Sequence, residues 1–386
     1  MAKPSTETNQ YSLATPKAVS GRLVSLDVFR GATIAGMILV NNPGSWGAIY
    51  PPLEHAEWNG WTPTDLVFPF FLWIAGVAMT LSFAKRVERG DDRRKLFLHT
   101  LRRAAMIFAL GLFLNAFPFF HLATLRIPGV LQRIAVCYLI AAAIFLRTSW
   151  RGQVAWIAGL LAGYWVLMTL VPVPGYGAGF LGKEGNFAQY IDSLILKGHM
   201  WGQTRIWDPE GIVSTLPAIA TTLFGILTGH LLRSSRSAPE KATWMFFSGN
   251  VLLFAGLVMN WWLPINKNLW TSSFSVFMAG MALIVFAVCY WLVDVQGYRK
   301  WARPFEIYGM NAIAVYVLSG VLARLLDVIM VSGASEPQSL QGYLFEHLFA
   351  PLASPLNASL LWALAYVGLL YGIAYFLYRK KWFVKI

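Results

Sequence analysis

The stretch Asn41–Pro69 gathers one histidine, His55, three asparagines, an aspartate and, ahead of Thr62, four aromatic residues, without a lysine or arginine. An imidazole that titrates near neutrality can take a proton from an attacking amine or hydroxyl, the task of a general base. The amides of Asn41 and Asn42 can donate to a developing oxyanion without changing charge, or the pair can simply end a helix. Thr62-Pro63-Thr64-Asp65 reads as a helix start, with a Thr cap, Pro in the first position and Asp in the third. Asp65 then either caps that helix or also orients the imidazole. Loops are commonly polar and variable, so one this rich in Trp, Asn, His and Pro reads as a site. The alternative is an interfacial loop whose Trp and Tyr anchor two membrane helices.

Further candidates lie at the same level or within apolar segments. Asp208 and Glu210, in WDPEG, offer carboxylates to an amino sugar or cap the helix that follows. PINKNLW is a tight turn with a lone Lys267 beside Asn266. Ionisable residues inside apolar spans are expensive and read as functional by default. Arg133 has no acidic neighbour in sequence, and can bind a phosphate or carboxylate or pair with a distant acid. Arg30 and Asp27 lie three apart and can neutralise each other, as can Arg324 and Asp327. The six histidines are scattered, so a catalytic metal site is not expected. There is no Walker A motif and no GxSxG elbow.

These residues hang on a chain of 386 residues that is 57% hydrophobic and only 13% charged, where a soluble domain would be about one quarter charged. Mean hydropathy is +0.54. Apolar windows at 23–42, 63–83, 97–117, 128–146, 154–172, 212–232, 243–263, 270–294, 305–331 and 359–378 predict an all-α, polytopic transmembrane bundle of about ten helices. Lysine and arginine crowd the even connections, from KRVERGDDRRK to the terminal RKKWFVKI, while the odd ones hold few. That asymmetry predicts cytoplasmic termini and an outer, periplasmic or luminal, His55 loop. It also accounts for the net charge of +13 without a nucleic-acid partner. The polar residues 1–21 lack an apolar h-region and read as a disordered cytoplasmic tail, ahead of a single transmembrane domain, 22–386. Cys137 and Cys289 sit in apolar runs and are expected as buried free thiols. The longest connection, 173–211, carries glycines after a helix rather than a strand, which argues against a dinucleotide fingerprint.

Six stretches, LVSLDVFRGATIAGMILVNN, HAEWNGWTPTDLVFPFFLWIAGVAM, PGVLQRIAVCY, DPEGIVSTLPAI, LPINKNLW and YGMNAIAVYV, resemble in order the heparan-alpha-glucosaminide N-acetyltransferase family and its bacterial relatives. The likeness runs from about Leu23 to the C-terminus, and without an added luminal domain the chain looks like a bacterial inner-membrane member. The resemblance implies acetyl transfer from cytoplasmic acetyl-CoA to an amino sugar on the outer side, and a homodimer. It implies that His55 is catalytic, as base or acetyl carrier, with Asn41 as partner and Asn42 and Asp65 beside them. Arg133, Gln132 and Arg30 are expected toward the cofactor, and Trp58, Asn59, Asp208, Glu210, Asn266, Lys267 and Asn311 toward the sugar. The reading from another class is an amino-sugar permease without chemistry, and a third is O-acylation of an envelope glycan.

Overall fold

A computed structural model describes residues 23–332 and 337–383. The segment read as a disordered tail lies outside the described residues, and so do the last three residues of the chain. The helices are α1 (Val24–Asn41), α2 (Val67–Glu88), α3 (Arg93–Ala116), α4 (Val130–Arg147), α5 (Trp150–Thr169), α6 (Phe187–Ile195) and α7 (Thr215–Arg233). They continue as α8 (Ala238–Met259), α9 (Ser272–Tyr290), α10 (Arg303–Met310), α11 (Ala312–Val328), α12 (Leu340–Leu344) and α13 (Pro355–Arg379). One short antiparallel hairpin, β1 (Met330–Ser332) with β2 (Pro337–Ser339), sits after α11.

Among the described residues nine helices are long and apolar enough to cross a membrane. The tenth window is a broken element: α10 and α11 meet at 81° around Asn311. Helix starts follow their local chemistry. Ser237 and Glu240 form a capping box ahead of α8, with Pro239 in its first turn. Several helices overrun their apolar windows; α5 begins at Trp150 rather than near 154, because hydropathy senses the lipid-facing middle and not the polar first turn.

Hydrogen bonds sort the connections into two ends. At one end Arg93 donates to Leu146 O, Arg233 pairs with Glu88, the Ser25 amide donates to Asp294 and Asn311 donates to Trp382 O. At the other, Gly44 bonds Ser359 O, Gln341 reaches Pro43 O, Asn266 reaches Asn59 and Ile127 bonds His199 O. The basic connections share the first end and His55 lies at the second.

Close helix contacts rest on glycine, as expected where lipid gives helices no hydrophobic reason to associate. A Cβ added to Gly76 on α2 would lie 2.0 Å from Thr222 O on α7, and one on Gly225 would lie 2.0 Å from Trp73 O. Gly31 on α1 and Gly309 on α10 interlock in the same way. Around these contacts Phe29, Phe70, Trp73 and Phe286 stack edge to face or tilted. Gly225→Leu is expected to cost about 3 kcal/mol in thermal unfolding followed in detergent. Gly372→Ala, where an added Cβ meets nothing within 4 Å, should unfold like the parent.

Candidate active site

The chain leaving α1 winds around one carboxylate. Asp65 is fully buried at the start of α2, in the 3-10 turn Pro63–Leu66. Its Oδ2 accepts the amides of Thr62 (3.0 Å) and Ala56 (3.1 Å), and its Oδ1 accepts His55 Nδ1 at 2.6 Å. Asp65 therefore both caps and orients. Thr62 Oγ1 donates to Glu54 O and Thr64 Oγ1 to Pro52 O, which closes the loop over the turn. With the Nδ1 proton given to Asp65, the half-exposed imidazole keeps its Nε2 lone pair outward.

The stretch around His55 has no lysine, yet the fold brings one to it from the turn between α8 and α9. Lys267 Nζ lies 2.8 Å from His55 Nδ1, 3.2 Å from Nε2 and 3.3 Å from Asp65 Oδ1. The turn is pinned to the His55 loop by Asn266 Nδ2 donating to Asn59 Oδ1 (3.1 Å) and by the Gly60 amide on Ile265 O (2.7 Å). Asn266 Oδ1 accepts the Leu269 amide, and buried Trp270 takes φ +49°, a left-handed conformation that costs a non-glycine residue about 1 kcal/mol or more. Burial holds the Lys267 amine below the ordinary lysine range, opposed by the charges of Asp65 and Glu210.

The other sequence candidates separate. Trp58 spends its indole N–H on Leu181 O (2.9 Å) and packs edge-on against Trp207, so it serves as a strut of the loop. Asn59 and Asn266 are each other's partners. Asp208, read as a carboxylate for an amino sugar, is 2% exposed and already accepts Arg126 Nε (2.8 Å), Arg126 Nη2 (2.7 Å) and the amides of Trp201 and Glu210. Four donors leave it no room for a ligand. Glu210 takes Arg126 Nη2 at 2.5 Å through one oxygen only. Arg126 was not singled out by sequence reasoning, because a lone basic residue in an outer loop carries no signal. Its guanidinium, which burial alone would make easier to deprotonate, is held above its ordinary range by the two carboxylates.

Arg133 is buried under Trp270, its charge 5.1 Å from that ring, and Nη2 donates to Gly211 O (3.1 Å) and Ser214 Oγ (2.5 Å). It makes no ion pair among the described residues, and Nε and Nη1 have no hydrogen-bond partner. Asp192 on α6, also unnoticed in the sequence, holds the same turn by accepting the Ile212 amide at 2.9 Å. Burial pushes its carboxyl up to about 6.

Asn42 donates to Ile38 O (2.8 Å) and closes α1, so helix termination accounts for it. Asn41 and Asn42 line a cavity of about 210 Å³ with Gln132, Asn115, Ser319 and Arg324; His55 is not among its walls. The Gln132 carbonyl is wedged where a Cβ on Gly111 or Gly129 would collide with it, and its amide nitrogen has no partner. A larger space of about 650 Å³ shares Asn115, Arg126 and Arg324 with that cavity and adds Phe119, His121 and Trp201. Arg30 and Asn311 stand at the opposite end of α1: Arg30 pairs with Asp27 and reaches Gly309 O, and Asn311 bonds Trp382 O.

Residues 22–256 match the family model described as heparan-alpha-glucosaminide N-acetyltransferase, catalytic. The chain belongs to that family. It is 29% identical to heparan-alpha-glucosaminide N-acetyltransferase of Mus musculus, over 97% of this chain and 62% of the relative. With the Homo sapiens protein of that name it shares 31% identity, over 96% of this chain and 60% of the relative. The chain thus spans about six tenths of the length of the curated relatives it matches. The family match takes in His55, Asp65 and Arg133 and stops before Lys267, whereas the pairwise similarities run over almost the whole chain.

Two expectations follow. Arg126→Met leaves Asp208 buried without its counter-charge and should destabilise by about 3 kcal/mol in thermal unfolding, with Arg126→Lys recovering only part because it lacks the two-pronged fork. Asp192 titrates near 6 in the fold against an ordinary 3.8. The protonated form is therefore favoured by folding, and its contribution is complete below about 4 and lost as pH rises through about 6. Asp192→Asn should flatten that loss, leaving the variant more stable than the parent above pH ~7 by up to about 3 kcal/mol and nearly equal to it at pH ~4.

Proposed function

We propose that the protein transfers an acetyl group from acetyl-CoA to the amine of a glucosamine-type sugar, with His55 as the group that carries it. The observation that supports this most is the His55–Asp65–Lys267 cluster. A buried carboxylate fixes the tautomer and leaves Nε2 as the nucleophile, the same division of labour that activates imidazoles elsewhere. Lys267 Nζ against both ring nitrogens puts a second proton-transfer group beside the imidazole, so the ring need not serve as the base and is left to carry the acetyl. Lys267 is placed to give a proton to the departing thiolate and, once neutral, to take one from the acceptor amine.

The residues fit the co-substrate. Acetyl-CoA supplies a thioester, an acetyl group already activated for transfer. The unpartnered Gln132 amide, in a cavity walled by Asn41 and Asn115, suits an amide-bearing arm. The crowded arginines and lysines at the far end of the bundle favour a cytoplasmic position for that end, and with it a periplasmic His55 in a bacterial inner membrane.

The test is release of CoA by purified protein in detergent, given acetyl-CoA and glucosamine. His55→Ala should lower the rate about 10³-fold or more, and His55→Gln, whose amide can still donate to Asp65, should lower it as far while keeping more of the parent's thermal stability. Asp65→Asn, which keeps the shape and reverses the preferred tautomer, should lose about 10²-fold or more. Undiminished acceptor-dependent release by His55→Ala would overturn the proposal.

A further inference from the structure

An acylated imidazole reacts with the nearest free amine, and the nearest amine belongs to the protein. Lys267 Nζ is 3.2 Å from Nε2, the atom to which the acetyl carbon would be bonded, and its side chain is only 17% exposed. It is held there by Asn266, Gly60 and the left-handed Trp270, and not by a flexible loop. We propose that Lys267 is an acetylation site of this protein, modified by the acetyl group on its own His55 when no sugar amine arrives.

The step balances without a further reactant. The Nζ lone pair attacks the acetyl carbonyl carbon and forms the amide C–N bond. The bond from that carbon to His55 Nε2 breaks, and the proton shed by Nζ passes to the released ring nitrogen. Two features govern it. Asp65 Oδ1 at 3.3 Å favours the ammonium and protects Lys267, while burial of the side chain favours the reactive amine. Once acetylated, Lys267 no longer offers a charge to Asp65, and it fills the space beside the imidazole where an acceptor amine must stand. The modification therefore stops the enzyme in the absence of acceptor.

This inference rests on the acetyl-carrier reading above, and the experiment separates the two. The protein is incubated with isotope-labelled acetyl-CoA without sugar, split, treated or not with hydroxylamine, and mapped by peptide mass spectrometry. Hydroxylamine removes acetyl from histidine and leaves the lysine amide. We expect hydroxylamine-stable label at Lys267, about tenfold or more above that at the exposed Lys183, suppressed by glucosamine and about tenfold lower in His55→Ala. In Lys267→Arg, label should be confined to the hydroxylamine-sensitive fraction. Label on His55 with none on Lys267 would overturn this inference and leave the carrier standing. Equal labelling of Lys267 in parent and His55→Ala would overturn it as well, as acetylation from solution. No label on either residue, with acceptor-dependent CoA release intact, would overturn both this inference and the carrier.

Discussion

A single carboxylate, buried at the start of a membrane helix, organises the candidate active site. Asp65 satisfies two backbone amides of its own loop, the imidazole of His55 and the ammonium of Lys267 from more than two hundred residues away in sequence. A buried, ionised carboxylate is tolerable only with that many donors, and losing one partner from a buried charged group costs about 3–5 kcal/mol. The same demand that stabilises the charge fixes the position of each donor. Capping, imidazole orientation and placement of the lysine are thus one requirement met in three ways.

Around this point the protein meets two further demands for buried charge, by different means. Asp208 is neutralised outright by the forked Arg126, so its carboxylate belongs to the scaffold. Arg133 is left with neutral partners only, a carbonyl, a hydroxyl and the face of Trp270. Trp270 touches both systems: it shields Arg133, and its backbone turn aims Lys267 at His55. The glycine-packed pairs α2–α7 and α1–α10 supply the stiffness beneath, since α2 carries Asp65 at its tip and α7 begins just after the Asp208 loop.

Much of this was legible in the sequence, and the reasons divide cleanly. Spans were legible because lipid imposes a long apolar window on every crossing helix, and each of nine windows is matched by a helix. Thr62-Pro63-Thr64-Asp65 was legible as a helix start because capping is local. The break at Asn311 was missed, since α10 and α11 together satisfy one hydropathy window and nothing in composition records an 81° turn. Asp208 read as a sugar ligand or a helix cap because its partner, Arg126, is remote and solitary in the sequence. Lys267 was visible as a lone lysine, but its approach to His55 depends on the Asn59–Asn266 bond and on a left-handed tryptophan, neither of which has a local signature.

Under the proposed function the cluster also carries a conflict that follows from its own geometry. Acetyl transfer to an amine needs a group that removes the amine's proton, close to the carbonyl and shielded from water. A lysine amine lowered by burial is such a group, but it is itself an amine, so competence as a proton acceptor and vulnerability as an acyl acceptor grow together. Asp65 sets the balance, because its charge at 3.3 Å favours the ammonium and opposes what burial does. A fully exposed lysine would be safe and ineffective as a base, and one buried without a carboxylate would be effective and quickly acetylated. Holding the carboxylate, the imidazole and the amine within hydrogen-bond reach of one another places Lys267 between those extremes.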